Sequence, residues 1–197
     1  FVSLLKRADM TRYELFLRET RTYEIIEDVK NFRSEIGVLF LNGYNRDVLT
    51  KMFDDNRLTY TSLFKARPHI FVSKSNPLAK HKVVSLEDLE DFPYLSYDQG
   101  IHNSFYYSEE ILSQIPHKKS IVVSDRATLF NLLIGLDGYT IATGILNSNL
   151  NGDNIVSIPL DVDDEIDIVY LKHEKATLSK MGEKFLDNLV KEVTFDD

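Results

Sequence analysis

Residues 67–95 read RPHIFVSKSNPLAKHKVVSLEDLEDFPYL, and the stretch is punctuated at every joint. Pro68 lacks an N–H and biases the residue before it toward extended backbone, so Ile70, Phe71, Val72 and Ser73 open a fresh strand. Asn76-Pro77 turns the chain. Ser85 stands three residues before Asp88, the spacing of a helix N-cap, with Val84 and Leu89 placed as a hydrophobic staple around a very short helix. Phe92-Pro93 closes that helix, and a strand leads out to Ser96.

Upstream, residues 1–7 carry Val2, Leu4 and Leu5 among cationic and small residues and read as the tail of an amphipathic helix. Residues 13–18, YELFLR, alternate as a strand does. Thr20 or Thr22 caps a helix in which Ile25, Ile26, Val29 and Phe32 recur at helical spacing. Residues 36–41, IGVLFL, form the continuous apolar run of a strand buried on both faces. Strand, helix and buried strand make a βαβ unit, with Asn42-Gly43-Tyr44-Asn45 as the loop beyond its last strand. Residues 58–64 are extended.

Downstream, residues 105–115 are expected as a helix and 120–123 as a short strand. Leu129, Leu132, Leu133 and Leu136 then line one helix face, stopped by Gly135 or Gly138, before a strand at 139–142, which completes a second βαβ unit. Residues 155–159 and 166–171 are extended. Met181, Phe185, Leu186 and Leu189 mark a last amphipathic helix over 178–190.

With 197 residues and 43% hydrophobic content, the chain can bury a core as one domain or two lobes. No apolar run is long enough for a membrane span, and residues 1–9 lack the pattern of a signal peptide, so a cytoplasmic location without membrane contact is expected. The absence of cysteine excludes disulfides and thiolate zinc sites. A net charge of −8 argues against a large phosphate-binding face on this polypeptide. The acidic clusters at 161–165 and at Asp196-Asp197 read as solvated surface.

Across nearly the whole chain these elements resemble the effector-binding domain of LysR-type transcriptional regulators. Residues 67–95 carry the best local match. NFRSEIGV at 31–38 resembles the segment leading into a buried strand, with Glu35 where an aspartate is more usual. VVSDRAT at 122–128, continuing to GYTIA at 138–142, resembles the family's second-lobe helix, which ends in a glycine before a buried strand. The resemblance implies a two-lobed α/β fold of the type II periplasmic-binding-protein kind, with a ligand cleft between lobes. Residues 1–66 and 163–197 would form lobe I, and 67–162 lobe II. It also implies a small-molecule effector, a homodimer or homotetramer built through residues 1–7 and 105–115, and DNA contact through a helix-turn-helix domain outside this chain. The family's opening strand has no counterpart here.

Ser124 and Thr128 begin a helix, where free N–H groups and the dipole favour an anion, although Ser is also a common plain cap. In the resembling family this helix start faces the cleft, which makes both residues candidates for ligand binding. Ser96, Tyr97 and Gln99 cluster with Asp98 after a strand and suit a small polar ligand, or equally a solvated turn. Asn42 and Gly43 form a candidate wall, since ligands of open α/β sheets sit beyond the carboxyl ends of strands. The five histidines show no metal-binding spacing, and no nucleotide loop or nucleophile elbow occurs. No catalytic residue, metal or cofactor is therefore expected. The alternatives are a transporter's solute-binding protein, or an enzyme on the same scaffold, such as a prephenate dehydratase-like or porphobilinogen-polymerising protein.

Overall fold

The computed structural model describes residues 2–7, 14–146 and 152–193. Phe1, Tyr13, Asp196 and Asp197, which entered the expectations above, lie outside the described residues. The chain divides into two compact units, one made of residues 1–40, 47–64 and 167–197 and the other of residues 41–46 and 65–166. No helix among the described residues is long and apolar enough to cross a membrane.

The first unit is built on a three-stranded sheet of order β1-β8-β2, with β1 at Gly37–Leu41, β2 at Leu58–Ala66 and β8 at Ile166–His173. Helices α1 (Val2–Arg7), α2 (Thr22–Lys30), α3 (Arg46–Asp55) and, after β8, α5 (Lys180–Val193) accompany it. Helix α2 buries Ile26 and Val29 as its spacing requires. Its N-cap is Arg21, with no side-chain cap, so Thr22 is the first helical residue and neither threonine caps it. Asp28 is buried on α2 and accepts from Arg33 at 2.7 Å and Arg18 at 3.1 Å. Glu35 accepts from both the N–H and the hydroxyl of Ser179, whose Oγ in turn accepts from the Gly182 N–H at the start of α5.

One further expectation in this unit needs correction, and one helix was not anticipated. Residues 14–18 form no strand: β1 pairs only with β8 among the described residues, and a cavity of about 390 Å³ separates the 14–18 stretch from Ile36, Gly37 and Val38. Alternation suits a sheet, but a strand exists only where backbone partners are in reach. Helix α3 went unpredicted, although Leu49 and Phe53 are wholly buried on it at i,i+4 spacing and Asp47 sits in its first turn.

The second unit carries a five-stranded sheet of order β5-β4-β6-β3-β7. Its strands are β3 (His69–Ser73), β4 (Tyr94–Tyr97), β5 (Ser120–Val123), β6 (Tyr139–Ala142) and β7 (Ile155–Pro159). Strand β4 runs parallel to both β5 and β6, whereas β3 is antiparallel to β6 and β7. Helix α4 (Arg126–Gly135) joins β5 to β6 and packs Leu129 and Leu133 on Phe71, Leu95, Val123 and Ile155. Leu136, expected on that face, lies past the helix end and is 49% exposed.

The turns expected in residues 67–95 form, with Leu86 rather than Ser85 as the N-cap of the short 3-10 helix at Glu87–Leu89. Asn76 accepts from the Leu78 N–H at 2.8 Å to start a short 3-10 turn, and donates to the Asp137 carbonyl at 2.8 Å. Ser85 and Asp88 form the reciprocal box: Asp88 accepts from the Ser85 N–H at 2.9 Å, and Ser85 Oγ accepts from the Asp88 N–H at 3.3 Å.

The stop of α4 differs from expectation. Asp137, with φ of 51°, takes the left-handed position. Gly138 is needed for close approach, since a Cβ there would meet Leu95 Cδ1 at 2.9 Å and the Pro93 carbonyl at 3.1 Å. Asp137→Gly relieves the left-handed strain and is expected to stabilise the chain by up to about 1 kcal/mol in urea unfolding, an effect that a destabilised variant would refute.

Candidate functional site

Strand β4 presents Tyr94 and Ser96 on one face and Leu95 and Tyr97 on the other, and its parallel register sets Tyr94 beside Ser120 and Ser96 beside Val122. The Leu95 face, with Ile121 and Val123, goes to the core under α4. The Tyr94 face is walled by residues 98–117, and a cavity of about 520 Å³ remains between them. Ser96, Tyr97, Asp98 and Gln99 all line it, together with Tyr94 and Ser108.

Residues 105–115 were expected as a helix and are not one. Only a 3-10 turn at Phe105–Tyr107 forms, followed by turns in which Leu112 adopts a φ of 61°. The reason lies in Glu110, which an exposed helix face would have left in water. Its side chain is instead 3% exposed, with Oε1 accepting the Tyr97 N–H at 2.7 Å and Oε2 accepting the Ser108 hydroxyl at 2.9 Å. Burial pushes its carboxyl up to about 7, against the opposing pull of those hydrogen bonds.

A second polar cluster borders the same cavity. The His117 ring stacks on Tyr94 with centroids 3.7 Å apart, and its Nδ1 lies 2.9 Å from the Tyr139 hydroxyl. Burial lowers the imidazole's pKa, which keeps it neutral, and pushes the Tyr139 phenol up to about 12. The Tyr94 phenol is raised as well, by burial first and by the neighbouring Glu110 second. Tyr94 Oη and Gln99 Oε1 are sealed from solvent and have no hydrogen-bond partner among the described residues.

The other expected site residues fall around this centre. Ser124 follows β5 directly and lies next to the Asp98 backbone, whose N–H donates to the Val123 carbonyl at 2.8 Å. Ser124 is exposed and does not cap α4; Asp125 does, accepting from the Thr128 N–H at 2.9 Å and the Thr128 hydroxyl at 2.8 Å. The Asp125 carboxyl is held below its usual value by those bonds, so a carboxylate already occupies the helix start that favours an anion. Asn42 is buried and spends its carbonyl on the N–H groups of Tyr44 and Asn45, both at 3.0 Å. Gly43 has open space where a Cβ would stand, and the Tyr44 ring stacks on Tyr106 at 4.9 Å. Ser96, Tyr97 and Gln99 thus share one cavity, while Ser124, Thr128, Asn42 and Gly43 are not among its lining residues.

Sequence reasoning missed Tyr94, Ser108, Glu110 and His117. For Glu110 the only available signal was a carboxylate inside the run Glu110-Ile-Leu112, which suits burial better than an amphipathic helix. Among the described residues no group of three or more His, Asp or Glu side chains would hold a metal ion.

A profile of the family described as LysR substrate binding domain matches residues 7–194. Among solved structures, HinK, a LysR family transcriptional regulator from Pseudomonas aeruginosa, is 15% identical with a TM-score of 0.65, over 98% of this chain and 65% of that one. The effector binding domain of QuiR in complex with shikimate is 17% identical with a TM-score of 0.60, over 96% of this chain and 86% of that one. The BenM effector binding domain with its effector benzoate is 19% identical with a TM-score of 0.61, over 98% and 83%. The chain spans less than two thirds of the length of HinK. No curated protein matches it.

Proposed function

The chain belongs to the LysR substrate binding domain family, and on that premise we propose that it is the effector-sensing part of a LysR-type transcriptional regulator. It binds a small molecule in the cavity beside β4 and β5, and a DNA-binding domain carried outside these residues answers to that binding. The fold is mixed α/β of the type II periplasmic-binding-protein kind. The observation that carries the site is the convergence of Ser96, Tyr97 and Gln99 on one cavity that runs along β4 and β5 from Tyr94 and Ser120 to the loop after β4. Residues 1–66 with 163–197, and residues 67–162, are its two lobes by sequence, against compact units that give residues 41–46, 65–66 and 163–166 to the second. The regulator acts in the cytoplasm as a homodimer or homotetramer, binds without catalysing a reaction, and uses no cofactor. An effector moves its equilibrium only through unequal affinity for two arrangements of the protein.

Two-dimensional NMR of the chain against a panel of small metabolites tests the placement. A binding metabolite is expected to shift the amide signals of Ser96, Tyr97, Gln99 and Gly100 and to leave those of β2 in place. Shifts confined to the first unit would refute it. Gln99→Leu, which removes a buried polar contact, is expected to weaken that metabolite's binding by roughly 10-fold in calorimetry.

A further inference from the structure

We infer that the turn at residues 108–112 is a proton-controlled latch on the cavity beside β4: with a proton on Glu110 it clasps the end of the strand, and loss of that proton to water releases the clasp and loosens the cavity wall. The inference rests on the ligand site proposed above, because the clasped residues, Tyr97 and Gln99, are two of those assigned to it.

The clasp has a specific geometry. The Asp98 N–H donates to the Val123 carbonyl of β5, so by the alternation of a strand the Tyr97 N–H points to the opposite edge of β4. Strand β6 serves that edge further back, where Tyr94 pairs with Tyr139. At Tyr97 the acceptor is Glu110 Oε1, at 2.7 Å, which does for the end of β4 what a neighbouring strand's carbonyl does elsewhere. Glu109 holds the next site residue, accepting from the Gln99 side-chain amide at 3.4 Å. Ile111 and Leu112 are buried too, so the turn is seated as one piece.

The segment around the latch is held neither as a helix nor as a strand. Backbone bonds inside it join near neighbours, Tyr107 to Ser104, Ser108 to Phe105 and Ile115 to Leu112. Its side chains make the longer reach, as in the Tyr106 ring on Tyr44 and the His117 imidazole at the Tyr139 hydroxyl. A segment anchored in this way opens at less cost than the sheet it lies on.

A protonated Glu110 suits the closed arrangement. Its Oε1 still accepts from the Tyr97 N–H, and the 2.9 Å contact with Ser108 reverses, Oε2–H donating to the serine oxygen. An ionised Glu110 is instead a buried charge, and the titratable groups acting on it among the described residues are the Glu109 carboxyl and the Tyr94 phenol. Opening returns that charge to water, so ionisation favours the released latch. Burial, opposed by the two hydrogen bonds, puts the closed carboxyl at about 7, against an ordinary value of 4.5. The latch therefore has its full support below the ordinary value and loses it as pH rises through the raised one.

Native-state hydrogen exchange of the whole chain, read by NMR from about pH 5.5 to pH 8 with no ligand present, tests the latch. After correction for intrinsic exchange, the opening constant of the Tyr97, Ser108 and Ile115 amides is expected to rise about 10-fold or more between about pH 5.5 and pH 7 and then to level off. These amides are expected to exchange well before that of Phe71, which reports the sheet from β3. Glu110→Gln keeps an acceptor for the Tyr97 N–H but does not ionise, and its opening constant is expected to be independent of pH. Equal opening at Tyr97 and Phe71 would mean that the segment opens only with the sheet, and a flat profile in the parent chain would mean that no proton controls it. Either result overturns the inference without needing the variant to fold, and so does a slope that survives in Glu110→Gln. Since no ligand enters the measurement, a failed latch is distinguishable from a failed site.

Discussion

Glu110→Gln is expected to remove a fall in stability between about pH 4.5 and pH 7 that the parent chain carries, worth about 3 kcal/mol. The carboxyl titrates near its ordinary value of 4.5 when unfolded and is pushed up to about 7 in the folded chain, where it is almost wholly buried. Between those values the folded state binds more protons than the unfolded state. Stability from this group is therefore fully present below the unfolded value and is lost as pH rises through the folded one.

Glutamine keeps an oxygen for the Tyr97 N–H, and its amide can donate to Ser108 Oγ, so the fold around β4 retains its contacts. Two other kinds of group must be kept apart from this effect. Burial pulls His117 below its ordinary value, so its contribution rises with pH up to about 6.5, opposite in sign to that of Glu110. Glu27, Asp88 and Asp125 are held low, and what they contribute is lost only as pH falls below the ordinary carboxylate range. The measurement is urea unfolding of parent and variant at pH 5, 6, 7 and 8. The difference between the two is expected to shift steadily in favour of the variant as pH rises, and parallel curves would show that Glu110 does not titrate in this window.

Glu110 also marks where the sequence stops being legible. Strands β3 to β6 could be read because proline, Asn-Pro and short apolar runs act locally, and local steric rules hold whatever the rest of the chain does. That Ser96, Tyr97 and Gln99 lie close together could be read for the same reason: they stand at and just after the end of a strand that is visible in the sequence. Residues 14–18 misled because alternation records a preference for pairing and says nothing of whether a neighbour exists. Residues 105–115 misled because a buried carboxylate bonded to a backbone N–H thirteen residues away in sequence overrides helical spacing. Ser124 was placed next to the right strand end, but its neighbour Asp125 won the cap. Both types are favoured there, and which one sits at the last non-helical residue depends on geometry set by β5 and β4 together.

Leu95→Ala is expected to cost about 3 to 5 kcal/mol and to disable ligand binding together with stability, because the same strand carries the core residue and the site. Leu95 is fully buried against Phe71, Val123, Leu129, Leu133 and Ile155, and the residues on either side of it, Tyr94 and Ser96, face the cavity. A hole under β4 lets the strand shift in register with β5, which moves Ser96 and Gln99 relative to residues 98–117. Gly138 makes the argument sharper. Alanine there puts a Cβ 2.9 Å from Leu95 Cδ1, so Gly138→Ala alone is expected to destabilise by about 1 to 3 kcal/mol through overpacking. In the double variant the new methyl enters space that the leucine has vacated, and only the approach to the Pro93 carbonyl, at 3.1 Å, still has to relax. The two losses should therefore fall short of additivity by about 1 kcal/mol or more in a double-mutant cycle measured by urea unfolding. Strict additivity would mean that Leu95 and Gly138 do not share a contact, and that the close approach of β4 to the α4–β6 turn does not hold the site in register.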